Sequence, residues 1–493
     1  MNDTKRYLAF DLGAESGRAV LGTLADDRIT LEEIHRFPTQ GIVMLGTRQW
    51  DVTRIYGEMI ESLRRCAREH TPDLDGIAVD TWGVDFGLIA RDGSLLANPV
   101  HYRDKRTEGV LDRVLQIVSR EDVYGATGIA FMPINTIYQL RAMVEKQSPL
   151  LDVAESLLMM NDLFSYLLCG ARACEFSNAS TTQMLDMRTT TWNTELITRL
   201  GIPRRLLLDP VLPGTILGPI LPEIAQSTGI SPRTGVIATC AHDTAAAVAA
   251  VPVTDGAEGD WAFLSSGTWS LLGAEIAHPV ISEKTLAANF TNEGGVEGKI
   301  TFLKNIIGLW LIQECRRSWE LEDGRETSYA TLTDEAARSE PFASLIDVGD
   351  PSLLAPEDMP STLRTLCARS GQPEPLSRRA IVRCALESLA IKYRRTLREL
   401  DEVLGRKTAR LHVIGGGAKN KLLTQMTADA CGLPVIAGPA EGTALGNIAI
   451  QAIATGTLAS LAQARKVVAD SVEVELYEPR KTALWAEAEA RLH

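Results

Sequence analysis

Short apolar runs broken by small and polar residues alternate with longer stretches of helical period along the chain. This alternation predicts an α/β protein. Tyr7–Asp11 and Ala19–Leu24 read as two strands around a tight turn at Ser16-Gly17, and Ile29–Arg36 alternates apolar with polar side chains as a third strand should. Asp51 is placed to cap a helix over Ile55–His70. Ile77–Asp80 is a short buried strand, and its continuation, Asp80-Thr81-Trp82-Gly83-Val84-Asp85-Phe86, carries two carboxylates. Residues 100–215 read as mostly helical with polar loops. Val236–Cys240 is a buried strand that leads through Ala241-His242-Asp243-Thr244 into an Ala-rich helix ending near Val251. Further on, Ser377–Leu404 is a long amphipathic helix and Leu411–Ile414 a strand ending in Gly415-Gly416-Gly417. Asn420 caps a helix that Gly432 stops, and Leu433–Ile436 is another strand.

One local pattern occurs twice. Residues 8–19 and residues 261–273 each read as an apolar strand, a Ser-Gly turn and a second strand. Small residues at such a turn leave backbone N–H groups bare, and bare N–H groups cradle phosphate. Each hairpin opens one half of the chain. The turn-rich stretch 252–260 marks a boundary, so two domains are expected, 1–252 and 253–493. A length of 493 residues agrees, being too great for one ordinary core.

Composition narrows the function. The chain is 45% hydrophobic and 23% charged, as a globular protein is, and its net charge is −13. That balance disfavours a nucleic-acid or anionic-membrane partner. The N-terminus enters a strand without a basic-apolar leader, and the most apolar stretch, 236–253, is interrupted by His242 and Asp243. A cytoplasmic protein is expected. The 8 cysteines form no Cys-x-x-Cys pair, so zinc is not indicated.

Several groups of residues carry candidate chemistry. Asp11, at the end of a buried strand, suits a metal–nucleotide complex contacted through water, since Mg²⁺ retains several waters. A turn aspartate would look the same. Ser16-Gly17-Arg18 adds a cation for a phosphate oxygen. Ser265-Ser266-Gly267-Thr268 and Gly415-Gly416-Gly417 suit close approach by a nucleotide, although no P-loop or dinucleotide glycine spacing is present. Asp243, between a buried strand and a helix, is the candidate general base, with a helix cap as the plain alternative. Trp82, Gly83, Asp85, Tyr102, Arg103 and Asp104 mix rings with polar groups in a way that suits a sugar.

Together these stretches resemble the FGGY carbohydrate kinases of the actin-like ATPase superfamily. The matching runs include residues 11–18, 80–86, 102–107, 135–141, 242–244, 264–270, 287–295, 303–305, 308–311, 415–417 and 437–447, in family order. The resemblance implies two ribonuclease-H-like lobes with a catalytic cleft between them, the first binding sugar and the second ATP. It implies transfer of the ATP γ-phosphoryl group, with Mg²⁺, to O1 of L-rhamnulose. It puts Asp243 at the catalytic base, and Gly83, His242, Asp243 and Thr244 at sugar contacts. It puts Ala14, Glu15, Ser16, Gly17, Arg18, Thr268, Asn305, Gln313 and Gly416 at nucleotide positions. Glu15 departs from the small hydroxyl residues common there, and a carboxylate beside phosphates repels them unless it turns outward or meets the metal. A kinase for another ketose or polyol, such as L-fuculose or D-xylulose, stays open. So does an actin-like nucleotide-dependent binding protein.

Overall fold

The computed structural model describes residues 4–253 and 259–492. Of the expected boundary stretch 252–260, residues 254–258 lie outside the described residues. The chain forms two compact units. One comprises Met1–Asp255, Glu275–Phe302 and Gly442–Ser471; the other comprises Gly256–Ala274, Leu303–Glu441 and Val472–His493.

Among the described residues, the first unit is built on a six-stranded sheet. Lys5–Leu12 pairs antiparallel with Ser16–Ala25, which pairs antiparallel with Arg28–Pro38. On its other side Lys5–Leu12 runs parallel to Gly76–Thr81, which runs parallel to Gly235–Ala238. Thr215–Pro219 closes that edge antiparallel. Period-2 alternation sends Leu8, Phe10 and Leu12 into one core with Ile55, Met59 and Leu63 of the helix Val52–Arg65 and Leu163 and Phe164 of the helix Met160–Cys169. Tyr7 takes the other face, where its hydroxyl meets Thr455 and Thr457 just past the helix Gly442–Ala454. With both faces covered, the middles of the two central strands, 7–10 and 76–79, are buried, non-charged runs, as strands covered on both faces require.

In the second unit Trp261–Ser266 pairs antiparallel with Trp269–Ile276 and parallel with Arg410–Ile414. Arg410–Ile414 runs parallel to Val435–Ala437, which pairs antiparallel with Glu475–Tyr477. The helix Arg378–Leu404 begins at the Ser377 cap and ends at Gly405 in the left-handed conformation. Its Tyr393 hydroxyl lies 2.7 Å from Ser270 Oγ, tying the helix to the hairpin.

The caps at Asp51 and Asn420 and the stop at Gly432 form as expected. The first hairpin turn does not. Ser16 and Gly17 already belong to the second strand, and the reversal is made by Gly13-Ala14-Glu15, closed by Gly13 N–H donating to the Ser16 carbonyl at 3.0 Å. Gly17 is selected by packing: a Cβ there would lie 2.7 Å from the Phe37 ring and 2.8 Å from Leu12. The segment 100–215 is largely helical but also contains the strand Ala154–Met159, which pairs with Phe86–Ala90.

Candidate active site

Three parallel strands of the first unit end side by side, and candidate residues stand at or just past their carboxyl ends. Asp11 stands in register with Asp80, and the chain leaving Gly235–Ala238 returns to place His242 beside Thr81. Open parallel sheets bind ligands at this end of their strands. Asp243 is the first residue of the helix Asp243–Ala249, and its side chain is 39% exposed. His242 is the N-cap residue but makes no side-chain cap bond. Asp243 instead accepts the N–H of its neighbour Thr244 at 2.6 Å and the Thr244 hydroxyl at 3.1 Å through one oxygen, Oδ1.

The backbone that presents Asp243 is clamped by buried polar groups that sequence reasoning left without a role. Thr81 N–H donates to the Ala241 carbonyl at 2.8 Å. Glu175 is fully buried and accepts from Ser177 N–H, Asn178 N–H, the Ser177 hydroxyl and Ala241 N–H. Ser177 Oγ in turn accepts the His242 N–H at 3.0 Å. Burial pushes the Glu175 carboxyl up to about 7 against these hydrogen bonds. His242 Nδ1 lies 3.1 Å from Glu293 Oε2, and Nε2 lies 3.5 Å from Asp243 Oδ1. Burial pulls the His242 imidazole down, but Glu293, Asp243 and Glu175 outweigh it and raise it to about 9. Asp80 is fully buried, accepts from Asn447 Nδ2 at 2.5 Å, and is raised well above the carboxylate range by burial and then by Asp11.

The stretch expected to meet sugar divides in two. Asp85 is buried and committed to the protein: it accepts from Trp50 Nε1 at 2.6 Å, Trp82 Nε1 at 3.2 Å, Tyr102 N–H at 3.0 Å and Gln139 Nε2 at 2.9 Å. Burial raises it to about 6 despite those donors. Asp104 is likewise used, accepting from Arg48 N–H and Arg106 N–H. These two carboxylates are therefore spent on the protein's own hydrogen bonds. Trp50 stacks between Trp82 and His101 at 3.9 and 4.0 Å. Gly83 is required by close packing, because a Cβ would lie 2.9 Å from the Thr181 methyl. The next residue, Val84, is held at φ +66° while its N–H donates to Thr181 Oγ1.

At the first hairpin Arg18 reaches across the strand pair to Asp11, with Nε and Nη2 donating to Oδ2 at 3.0 and 2.8 Å. Arg18 thus neutralises Asp11 in this structure. Ala14 is half-buried, while Glu15 and Ser16 are exposed at the hairpin tip. The nucleotide-position residues of the second unit gather around its own hairpin. Gly308 N–H and Trp310 N–H donate to the Thr268 carbonyl, fixing the start of the helix Trp310–Asp323, which carries Gln313. Gln313 Oε1 is buried with no hydrogen-bond partner among the described residues. Asn305 lies in the preceding strand, Ile300–Ile307. Gly415 takes φ +82°, and Gly417 presses on Ser266 so closely that a Cβ would lie 2.8 Å from the Ser266 carbonyl oxygen. Gly416 between them is exposed, with open space where a Cβ would be.

The resemblance read from the sequence implies ATP with a divalent metal. Among the described residues no group of three or more His, Cys, Asp or Glu side chains is arranged to hold one. Asp11, partly exposed and already paired with Arg18, suits a water-mediated contact to a metal that arrives on the nucleotide phosphates. Among the described residues no helix is long and apolar enough to cross a membrane.

Comparison with known proteins identifies the family. The N-terminal domain model of the FGGY family of carbohydrate kinases matches residues 6–250, and its C-terminal domain model matches residues 262–455. A rhamnulokinase from Bacteroides thetaiotaomicron is 42% identical over 481 residues, covering 98% of this chain and 97% of the relative. One from Oceanobacillus iheyensis is 36% identical, covering 95% and 97%. Among solved structures, gluconate kinase from Lactobacillus acidophilus superposes with a TM-score of 0.81 at 16% identity, covering 99% of this chain and 96% of that one. Plasmodium falciparum glycerol kinase with ADP superposes with a TM-score of 0.75 at 15% identity, covering 99% and 98%. At such identities the superpositions speak for the fold, which is that of the actin-like ATPases. The domain matches across both halves, and relatives alike along nearly the whole length, show that the chain belongs to the FGGY family of carbohydrate kinases.

Proposed function

We propose that this kinase transfers the γ-phosphoryl group of Mg²⁺–ATP to O1 of L-rhamnulose, giving L-rhamnulose 1-phosphate and ADP in the breakdown of L-rhamnose. The observation that carries the substrate is the likeness to proteins named rhamnulokinase, 36–42% identical over 95–98% of the chain. The observation that supports the chemistry is Asp243, half-exposed at the carboxyl end of the parallel strands and fixed by its buried neighbours. Asp243 accepts the proton of the O1 hydroxyl as the new O–P bond forms and the bond from the γ-phosphorus to the bridging oxygen breaks. ADP leaves with that oxygen.

Phosphoryl transfer needs little covalent help, so most of the acceleration comes from position and charge. His242, Thr244 and Gly83 take the sugar. Backbone N–H groups of Ala14, Glu15, Ser16 and Gly17, with Arg18, take phosphate oxygens. Thr268, Asn305, Gln313 and Gly416 take the rest of the nucleotide. Mg²⁺, approached by Asp11 through water, neutralises phosphate charge when bound. ATP as co-substrate fits a cytoplasmic setting.

The test is sugar-dependent ADP release with Mg²⁺–ATP across L-rhamnulose, L-fuculose, D-xylulose, L-ribulose and glycerol. A clear preference for L-rhamnulose is expected. Preference for another sugar would leave the family and mechanism standing and overturn the substrate. Release that no sugar stimulates would overturn the reading.

A further inference from the structure

Glu293 lies in the strand Thr291–Gly294, all four of whose residues are buried. A charged carboxylate costs several kcal/mol to bury without a partner. The strand has little room to move it. A Cβ on the following Gly294 would lie 2.8 Å from the Phe176 ring, and Gly294 N–H donates to Ser180 Oγ at 2.8 Å. The charged group nearest Glu293 Oε2 is the His242 ring, with Nδ1 at 3.1 Å. The two are close but their N–H···O line is poor, so the contact is an ion pair more than an aligned hydrogen bond. On the far side of the same ring, Nε2 lies 3.5 Å from Asp243 Oδ1. A carboxylate, an imidazole and a carboxylate thus form one chain, and its exposed end is the proposed base.

We propose that Glu293 is a positioning residue for phosphoryl transfer: by holding His242 at Nδ1 it directs Nε2–H to the space beside Asp243, where the acceptor sugar presents its oxygens. The proposal rests on the reading of Asp243 as the base. With a protonated Nδ1 facing the Glu293 carboxylate, His242 offers Nε2 as a donor only while it is doubly protonated. The ionisable groups that act on the ring are Glu293 from its strand, Asp243 from the first turn of its helix, and Glu175 from the clamp behind it. All are carboxylates, and each favours the charged ring. Removing one of them lowers the pH at which His242 loses its second proton.

The test compares wild type, Glu293→Gln, Glu293→Ala and Asp243→Asn on L-rhamnulose and Mg²⁺–ATP from pH 6 to 10. For wild type, kcat/KM for the sugar is expected to fall on an alkaline limb near pH 9, where the raised His242 titrates. In Glu293→Gln, which keeps the shape and loses the charge, that limb is expected to move down by about one to two pH units toward the ordinary histidine value. At pH 8 that shift is expected to lower kcat/KM for the sugar roughly two- to tenfold, with KM for ATP unchanged. If Glu293→Ala does not fold, the isosteric variant decides. A Glu293→Gln enzyme with the wild-type alkaline limb overturns the proposal, whatever its kcat, because a merely structural role lowers activity without moving the limb. A wild-type profile flat to pH 10 overturns it as well. Asp243→Asn separates the two readings. If it is inactive while Glu293→Gln behaves as wild type, only the positioning role falls. If Asp243→Asn turns over normally, the base assignment falls first.

Discussion

Single residues differ in how much of their work can be read along the chain. Asp11 and Asp243 stand out because each ends an apolar run, and strand ends in α/β sheets are where ligands bind. The contacts of Glu175, Glu293 and Asn447 do not show along the chain, because their partners are Ala241, His242 and Asp80, far away in sequence and adjacent only once the chain is folded. Asp85 was legible as a chemical residue but not as a structural one: nothing local says that Trp50, Trp82, Tyr102 and Gln139 all donate to it. Removing it would strand several buried donors, so Asp85→Ala is expected to cost ~3 kcal/mol or more, a fall in Tm of several degrees. Because burial raises its pKa to about 6, the folded chain holds this proton more tightly than the unfolded chain does. Its contribution is therefore full below about pH 4 and is lost as pH rises through 6. Thermal melts should show a larger penalty for the substitution at pH 4.5 than at pH 7.5. An equal or reversed penalty would contradict this assignment.

At the scale of elements, strand and helix positions follow the sequence closely, and tight turns do not. The pattern Ser16-Gly17 looks like a reversal, yet Phe37 and Leu12 need Gly17 inside the strand, which moves the turn to Gly13-Ala14-Glu15. Glycine chosen for packing and glycine chosen for a turn are the same letter. The helix carrying Asp243 shows the packing kind: a Cβ on Gly446, in the helix Gly442–Ala454, would lie 1.8 Å from the Ala246 carbonyl oxygen. Gly446→Ala must push the two helices apart. It is expected to destabilise by ~2–3 kcal/mol and to lower kcat through displacement of Asp243. Unchanged melting and turnover would refute that contact. In the second unit, Gly417→Ala meets the Ser266 backbone, whereas Gly416→Ala meets nothing. We expect Gly416→Ala to melt as wild type does and to alter only KM for ATP, while Gly417→Ala lowers Tm. Calorimetry with ATP kinetics checks both, and the reverse order would show the triplet misread.

For the whole molecule, the doubled hairpin announced two halves, but not the path between them. The segments Glu275–Phe302 and Gly442–Ser471 belong with the first unit, so Glu293, Gly446 and Asn447 complete a body that begins at residue 1. Linear composition carries no trace of that return; only long-range packing sets it. A fragment of residues 1–252 therefore lacks the helix that covers Tyr7, Gly22 and Gly76. It is expected to show no cooperative melt by circular dichroism, and a sharp transition would contradict the division. The proposed activity of the completed body turns on Asp243. Its most direct test is the turnover of Asp243→Asn against wild type on L-rhamnulose at saturating Mg²⁺–ATP, with matched melting curves. Loss of the base predicts a kcat lower by about 10²–10⁴, with KM for ATP little changed. Turnover near that of wild type would contradict the account.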